Sequence, residues 1–326
     1  MVTDLPKDFF PPVVILAAGK GRRLKPLTHK LPKALAPVVN MPIIERIIRD
    51  FMAAGAGEFI IVVSYPDGPI RDYLTQEADL GVTLRFAYQK EKLGMAHALM
   101  AAGNLVTSPW FMTVACDNLY PLEHLKGIIE HWRGSKSDAV LSLMKVPLAE
   151  VYSNAIVKVE RGRIRRIVEK PKKGEVFSRI ISLPLYLLPQ EVLQFLPQTP
   201  RSPRGEYELQ NSIQWLIESG FNVQGVLTSE RYNLTTLDDL IFINKVYLEK
   251  YRQTLSLDML RWDKVNIISP VYIAPEVEIG EGSEVGPWVT VGRGCRIGRR
   301  VKISDSVIIP GGVVEDDLEV VNKVVM

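Results

Sequence analysis

The chain has 326 residues, with 40 Lys and Arg against 37 Asp and Glu, for a formal net charge of +3. Roughly 150 residues per domain makes this a two-domain length. A content of 47% hydrophobic and 24% charged residues is globular rather than disordered or fibrous, and so even a charge balance argues against a dedicated nucleic-acid binder. The two cysteines, Cys116 and Cys295, lie far apart and form no CxxC pair, which fits a reducing, cytoplasmic compartment.

In chain order, the first apolar run is Val13–Ala18, far short of the roughly 18 residues that cross a bilayer. No basic region precedes it, so neither a signal peptide nor a membrane partner is expected. The run reads as a buried strand, cut off by Gly19 and Gly21. A helix is expected over 43–54, then a strand over 59–64, a helix near 70–77, a strand over 82–88 and a helix over 97–102. A strand over 110–115 and a helix over 123–132 follow. Strands alternating with helices imply a mostly parallel, Rossmann-like α/β sheet that binds ligands beyond the carboxyl ends of its strands. From residue 139 the pattern shifts to antiparallel strands over 139–146, 155–159 and 163–168. Helices are expected over 209–219, closed by Gly220, and over 237–251. The domain reading is 1–250 for the α/β domain, 251–266 for a junction and 267–326 for a second domain.

The last sixty residues carry an aliphatic residue every six positions, from Ile267 through Ile273, Ile279, Val285, Val291, Ile297 and Ile303 to Ile309. Four positions after each stands a small or β-branched residue, ending at Val307 and Val313. This is a hexapeptide β-helix period. Eight hexads give fewer than three coils, and such coils are usually left-handed, against the ordinary crossover rule. The flat faces of a short β-helix suit self-association, so a homo-oligomer is expected. An acetyltransferase reading is rejected because all four histidines lie upstream of the repeat.

The chemistry concentrates near the amino terminus. Between Lys20 and Lys33 stand six Lys or Arg residues and no acid, directly after a strand and around two glycines. Glycines let backbone N–H groups approach an anion, and cations complete the match, so a polyphosphate is the expected ligand. Neither GxGxxG nor a Walker A pattern fits this loop.

LAAGKGRRLKPLT followed by LPKAL resembles the signature of the sugar-1-phosphate nucleotidyltransferases, or NDP-sugar pyrophosphorylases. QKEKLGMAHAL from Gln89, CDNLY from Cys116, VEKPKKGE from Val168 and GEYELQNSIQWLIESGFNV from Gly205 resemble later segments of that family. The likeness is greatest to the long-form glucose-1-phosphate thymidylyltransferases, which also end in a hexapeptide β-helix. The resemblance implies that a nucleoside triphosphate and a sugar 1-phosphate join to give NDP-sugar and pyrophosphate, with Mg²⁺ as cofactor. It implies phosphate clamps at Arg23 and Lys33, and a metal carboxylate at Asp117 aided by Asn233. It also implies nucleotide contacts at Leu16, Ala17, Ala18, Gly19, Lys20, Gly21, Gln89 and Gly94, and sugar-phosphate contacts at Tyr152, Ser153, Glu169 and Lys170. A glutamine amide at 89 pairs with both O4 and N3–H of a pyrimidine, which favours dTTP or UTP, and the resemblance implies glucose 1-phosphate as co-substrate. His97 is read as structural. Ser153, Pro184 and Asn233 depart from the family pattern and keep open an alternative, a non-catalytic NDP-sugar-binding regulator.

Overall fold

The computed structural model describes residue 6 and residues 9–252 and 264–326. Most of the expected junction therefore lies outside the described residues. The chain divides into two compact units. The first comprises residues 1–19 and 47–231. The second joins Lys20–Arg46 to Tyr232–Met326.

The first unit is built on a nine-stranded mixed sheet. Its strands are β1 (Val13–Leu16), β2 (Glu58–Val63), β3 (Thr83–Tyr88), β4 (Trp110–Ala115), β5 (Ala139–Lys145), β6 (Ala155–Glu160), β7 (Arg163–Glu169), β8 (Ile180–Pro189) and β9 (Val223–Leu227). The spatial order is β7-β6-β8-β4-β1-β2-β3, with β5 against β8 and β9 against β5. β4, β1, β2 and β3 run parallel, in the registers Val14↔Thr113, Val14↔Ile60 and Ile60↔Arg85. Every residue of β1 is buried, as expected of a central strand covered on both faces. Val14, Ile60, Val62, Phe111 and Tyr186 pack with helices α2 (Met95–Ala102) and α4 (Leu209–Glu218) in one core. Each buried aliphatic side chain there contributes about 1.5–3 kcal/mol. Helix α3 (Leu122–Ser135) buries Leu125, Ile128, Ile129 and Trp132, a stripe at helical spacing.

β9 was not anticipated, and β8, expected only from the family resemblance around Pro184, runs ten residues through that proline. Proline has no N–H for the ladder, and the β8–β5 register shifts between Ser182 and Tyr186, around that proline.

In the second unit, helix α5 (Leu237–Lys250) starts on a capping box: Thr236 Oγ1 accepts from Asp239 N, and Asp239 carboxylate accepts from Thr236 N. After it come, among the described residues, eleven short strands in three parallel sheets of four, four and three. They form a parallel β-helix of more than three coils, which corrects the expected count of fewer than three. The expected phase also fails at its end. Pairs such as Asn266↔Glu284 and Val271↔Val289 are 18 residues apart, whereas Val291↔Ile308, Arg296↔Val313 and Lys302↔Glu319 are 17 apart. One residue is missing from the corner between Ser304 and Val307. Ile308, not Ile309, therefore continues the inward file, Ser306 takes the small inward place, and Val313 turns out to 51% exposure while Val314 is buried. The Val307–Ile309 run is apolar throughout, so the slip left no gap in the hydrophobic pattern.

Candidate active site

Parallel strands end at one rim, and here they end together. Past β1, Ala17 N donates to Val62 O (2.9 Å) and Ser64 Oγ donates to Ala18 O (3.0 Å). Past β4, Cys116 N donates to Leu16 O (3.2 Å), and past β3, Gln89 N donates to Val63 O (2.9 Å). The rim thus gathers Leu16, Ala17, Ala18 and Gly19 beside Asp117, with Gln89 at the end of the outer parallel strand. Leu16, Ala17 and Ala18 are buried, whereas Gly19 is exposed with open space around it. Asp117 is half-buried, and its carboxylate accepts from Asn118 Nδ2. Tyr120, three residues on, is buried with its hydroxyl unpaired. Burial pushes that phenol well above its ordinary pKa, and the Arg231 charge opposes the shift.

Gln89 is only 3% exposed. Its Nε2 donates to Gly94 O (3.3 Å) and lies 3.0 Å from His97 Nδ1. A carbonyl accepts only, so the amide nitrogen must face it. Gln89 therefore ties down the 90–94 loop and offers a base only Oε1, fewer contacts than the two expected. His97 stacks on Tyr207 (6.1 Å), in keeping with a structural role. Gly94 has φ 100°, and a Cβ there would sit 2.7 Å from Tyr207 O. The tight approach of the 205–208 backbone makes glycine necessary at this position.

A second cluster forms where β7 ends. Glu169 Oε1 lies 3.3 Å from Arg204 Nη2 and 3.7 Å from Lys170 Nζ, while Arg204 also reaches Glu208 at 2.6 Å. Burial, then the neighbouring Glu208, raises the Glu169 pKa, and the two cations oppose this. Lys170 holds φ 45° just before Pro171, a strained backbone. Tyr186 OH accepts from Gln210 Nε2 (3.2 Å) and Ser182 Oγ (3.3 Å), and Gln210 Oε1 is buried without a partner. Arg204, Glu208, Tyr186 and Gln210 were missed. Arg204 directly precedes the GEYELQ segment, but nothing local marks a pairing across 35 residues. Tyr152 is exposed, and Ser153 N donates to Glu150 O (3.3 Å), so the N–H expected to meet sugar already serves a turn.

The basic loop lies in the second unit. Gly21 stands at φ 55°, and Leu24 N and Thr28 Oγ1 both donate to its carbonyl (2.9 and 3.1 Å). A Cβ on Gly21 would meet Thr28 Cγ2 at 2.8 Å and Lys33 Cβ at 3.1 Å, so the turn is knitted around Lys33. A short 3₁₀ turn, Lys33–Leu35, is closed by Ala36 N on Lys33 O (3.0 Å). Lys20 and Arg23 are exposed. Asn233 Oδ1 is buried without a hydrogen-bond partner.

Among the described residues no group of three or more His, Cys, Asp or Glu side chains is arranged as a metal cage. A hard cation that keeps substrate and water oxygens needs only one or two protein oxygens. Within the first unit the Asp117 carboxylate has that character and fits Mg²⁺; in the second unit the Asn233 carbonyl oxygen is buried without a partner.

A nucleotidyl transferase family model matches residues 12–250, and a GMPPB C-terminal domain model matches 267–326. The chain belongs to the nucleotidyl transferase family, among the sugar-1-phosphate nucleotidyltransferases that make NDP-sugars. It is 30% identical over 214 residues to the UTP–glucose-1-phosphate uridylyltransferase AglF of Haloferax volcanii, covering 65% of this chain and 86% of that protein. It is 34% identical over 197 residues to the mannose-1-phosphate guanyltransferase beta-B of Xenopus laevis, covering 58% of this chain and 52% of that one. Of solved structures, UDP-glucose pyrophosphorylase complexed with UDP-glucose shares the fold, with TM-score 0.64 and 19% identity over 74% of this chain and all of that one. No helix among the described residues is long and apolar enough to cross a membrane.

Proposed function

We propose that the protein joins a pyrimidine nucleoside triphosphate, dTTP or UTP, to glucose 1-phosphate, giving NDP-glucose and pyrophosphate by in-line attack on the α-phosphorus. The observation that carries this reading is the convergence of the Ala17–Gly19 backbone and Asp117 at one strand rim, with the Gly21–Lys33 cationic turn next in the sequence. No side-chain nucleophile is needed, because the sugar phosphate oxygen attacks. The protein's task is to bring two anions together and to neutralise charge as it moves onto pyrophosphate. Gly19 and Gly21 present backbone donors, Lys20 and Arg23 extend the positive field, and Lys33 meets the leaving phosphates. Asp117 would hold Mg²⁺, which, when bound, supplies positive charge to the phosphates. Glu169 accepts sugar hydroxyls, and Lys170 meets the sugar phosphate. The β-helix supports self-association.

Two observations favour a second reading, guanylyl transfer to mannose 1-phosphate. These are the C-terminal domain match and the single free acceptor of Gln89, which suits a guanine N–H as well as a pyrimidine N3–H. A regulator that binds NDP-sugar without turnover is favoured by the commitment of Ser153 N to its turn. A pyrophosphate-release panel crossing dTTP, UTP and GTP with glucose 1-phosphate and mannose 1-phosphate tests all three. Release with a pyrimidine nucleotide and glucose 1-phosphate is expected. Release only with GTP moves the assignment, and no release with tight NDP-sugar binding leaves the regulator.

A further inference from the structure

The basic loop runs into a tight hairpin, Pro37–Val38 against Met41–Pro42. Its turn is Val39-Asn40, with φ 48° and 62°. Asparagine tolerates that left-handed region, but a β-branched valine is a genuine outlier there. Strain of this kind persists only where the surroundings hold it. The surroundings here are two buried side chains. Asn244, 2% exposed, accepts from Val39 N (2.7 Å) and donates to Pro37 O (3.1 Å) and Leu240 O (2.8 Å). Arg46, 5% exposed, donates to Val38 O. Three consecutive backbone groups, at residues 37, 38 and 39, are thus gripped by side chains.

Both grips are anchored on helix α5. Asn244 belongs to it, and the Arg46 guanidinium lies over the ring of its Tyr247 (4.5 Å to the centroid) and donates to Tyr251 OH (3.1 Å). The neighbouring Lys245 pairs with Asp305 of the β-helix (2.7 Å), at the corner that lacks a residue. On the other side, Pro37 stands one residue after Ala36, whose N–H closes the turn carrying Lys33.

We infer that Asn244 and Arg46 are positioning residues that set the conformation of the cationic loop, and of Lys33 in particular, by holding Val39 in its strained turn against helix α5. The inference rests on reading that loop as the triphosphate-binding element. Neither side chain touches substrate. Their hold fixes the downstream end of a loop whose upstream end is fixed by β1.

Hydrogen exchange of the full-length protein, wild type against Asn244→Ala, reads the hold without relying on activity. Amides of residues 20–39 should exchange at least tenfold faster in the variant, with the β1 and β4 strands unchanged. Val39→Gly, which removes the strain, should restore most of the protection in the double variant. In pyrophosphate release, Asn244→Ala should lower kcat at least tenfold, and Val39→Gly should recover most of that loss. Unchanged exchange at 20–39 overturns the inference, as does loss without rescue. Should Asn244→Ala fail to fold, Arg46→Lys, which keeps the charge but not the fork, carries the same test: unchanged exchange overturns the inference, faster exchange supports it. A wild type that releases no pyrophosphate from any nucleotide defeats the functional reading, while the exchange arm still decides the hold.

Discussion

Single side chains define what the site can do. Lys33 and Asp117 are assigned the charge work, so Lys33→Ala and Asp117→Ala should each lower turnover at least a hundredfold, or roughly 2.7 kcal/mol, in a steady-state pyrophosphate assay. Near-normal rates in both would remove the assignment. Glu169 presents a different balance. Its folded pKa is raised, first by burial and then by Glu208. A raised carboxyl favours the fold when protonated, and that contribution is lost as pH rises through the folded value. At neutral pH the ionised group is therefore a liability to stability, retained beside Arg204 and Lys170. Glu169→Gln should raise the melting temperature at pH 7 while raising KM for sugar phosphate; a lowered melting temperature would contradict this. The rim residues were legible because β-branched and aliphatic runs stop abruptly at Gly19 and Asp117. The Arg204–Glu208 arm was not, since its worth depends on Glu169, brought near only by tertiary folding.

Elements carry the next set of consequences. The six-residue period announced the β-helix, but β-branched residues at 307–309 satisfied both phases and hid the lost residue. The corrected phase makes a sharp comparison. Val314→Ala should cost about 2 kcal/mol, as for a buried valine, whereas Val313→Ala should stay within about 0.5 kcal/mol, both read by urea denaturation. Equal costs would restore the unbroken period. Helix α3 carries a pH-sensitive contact. His124 Nε2 lies 2.7 Å from Ser142 Oγ in β5, and burial lowers the His124 pKa from 6.5 to about 4. The unfolded chain takes up a proton below pH 6.5 while the folded chain resists until about 4, so stability falls progressively across that window. His124→Gln should flatten the fall, as followed by thermal melts at pH 7, 5.5 and 4.5; an identical slope would exclude His124 as its source. β8 was legible only through the family resemblance, since a proline inside a run argues against a strand.

Across the whole molecule, the cationic loop is grouped with helix α5 and the coils rather than with the sheet whose first strand it follows. Sequence distance obscured this, because Val39 and Asn244 stand 205 residues apart. In urea-dependent hydrogen exchange, amides of residues 38–46 should lose protection at the same denaturant concentration as those of 237–250, as members of one cooperative unit. Loss together with β1 and β4 would contradict the grouping. The shortened corner at 304–307 also bears on recombination. Asp305, which meets Lys245, sits in that corner, so donor coils with an unbroken eighteen-residue repeat would carry one residue too many there and shift every later side chain by one place. A viable hybrid must therefore exchange the corner and the helix docked on it as one inherited cassette.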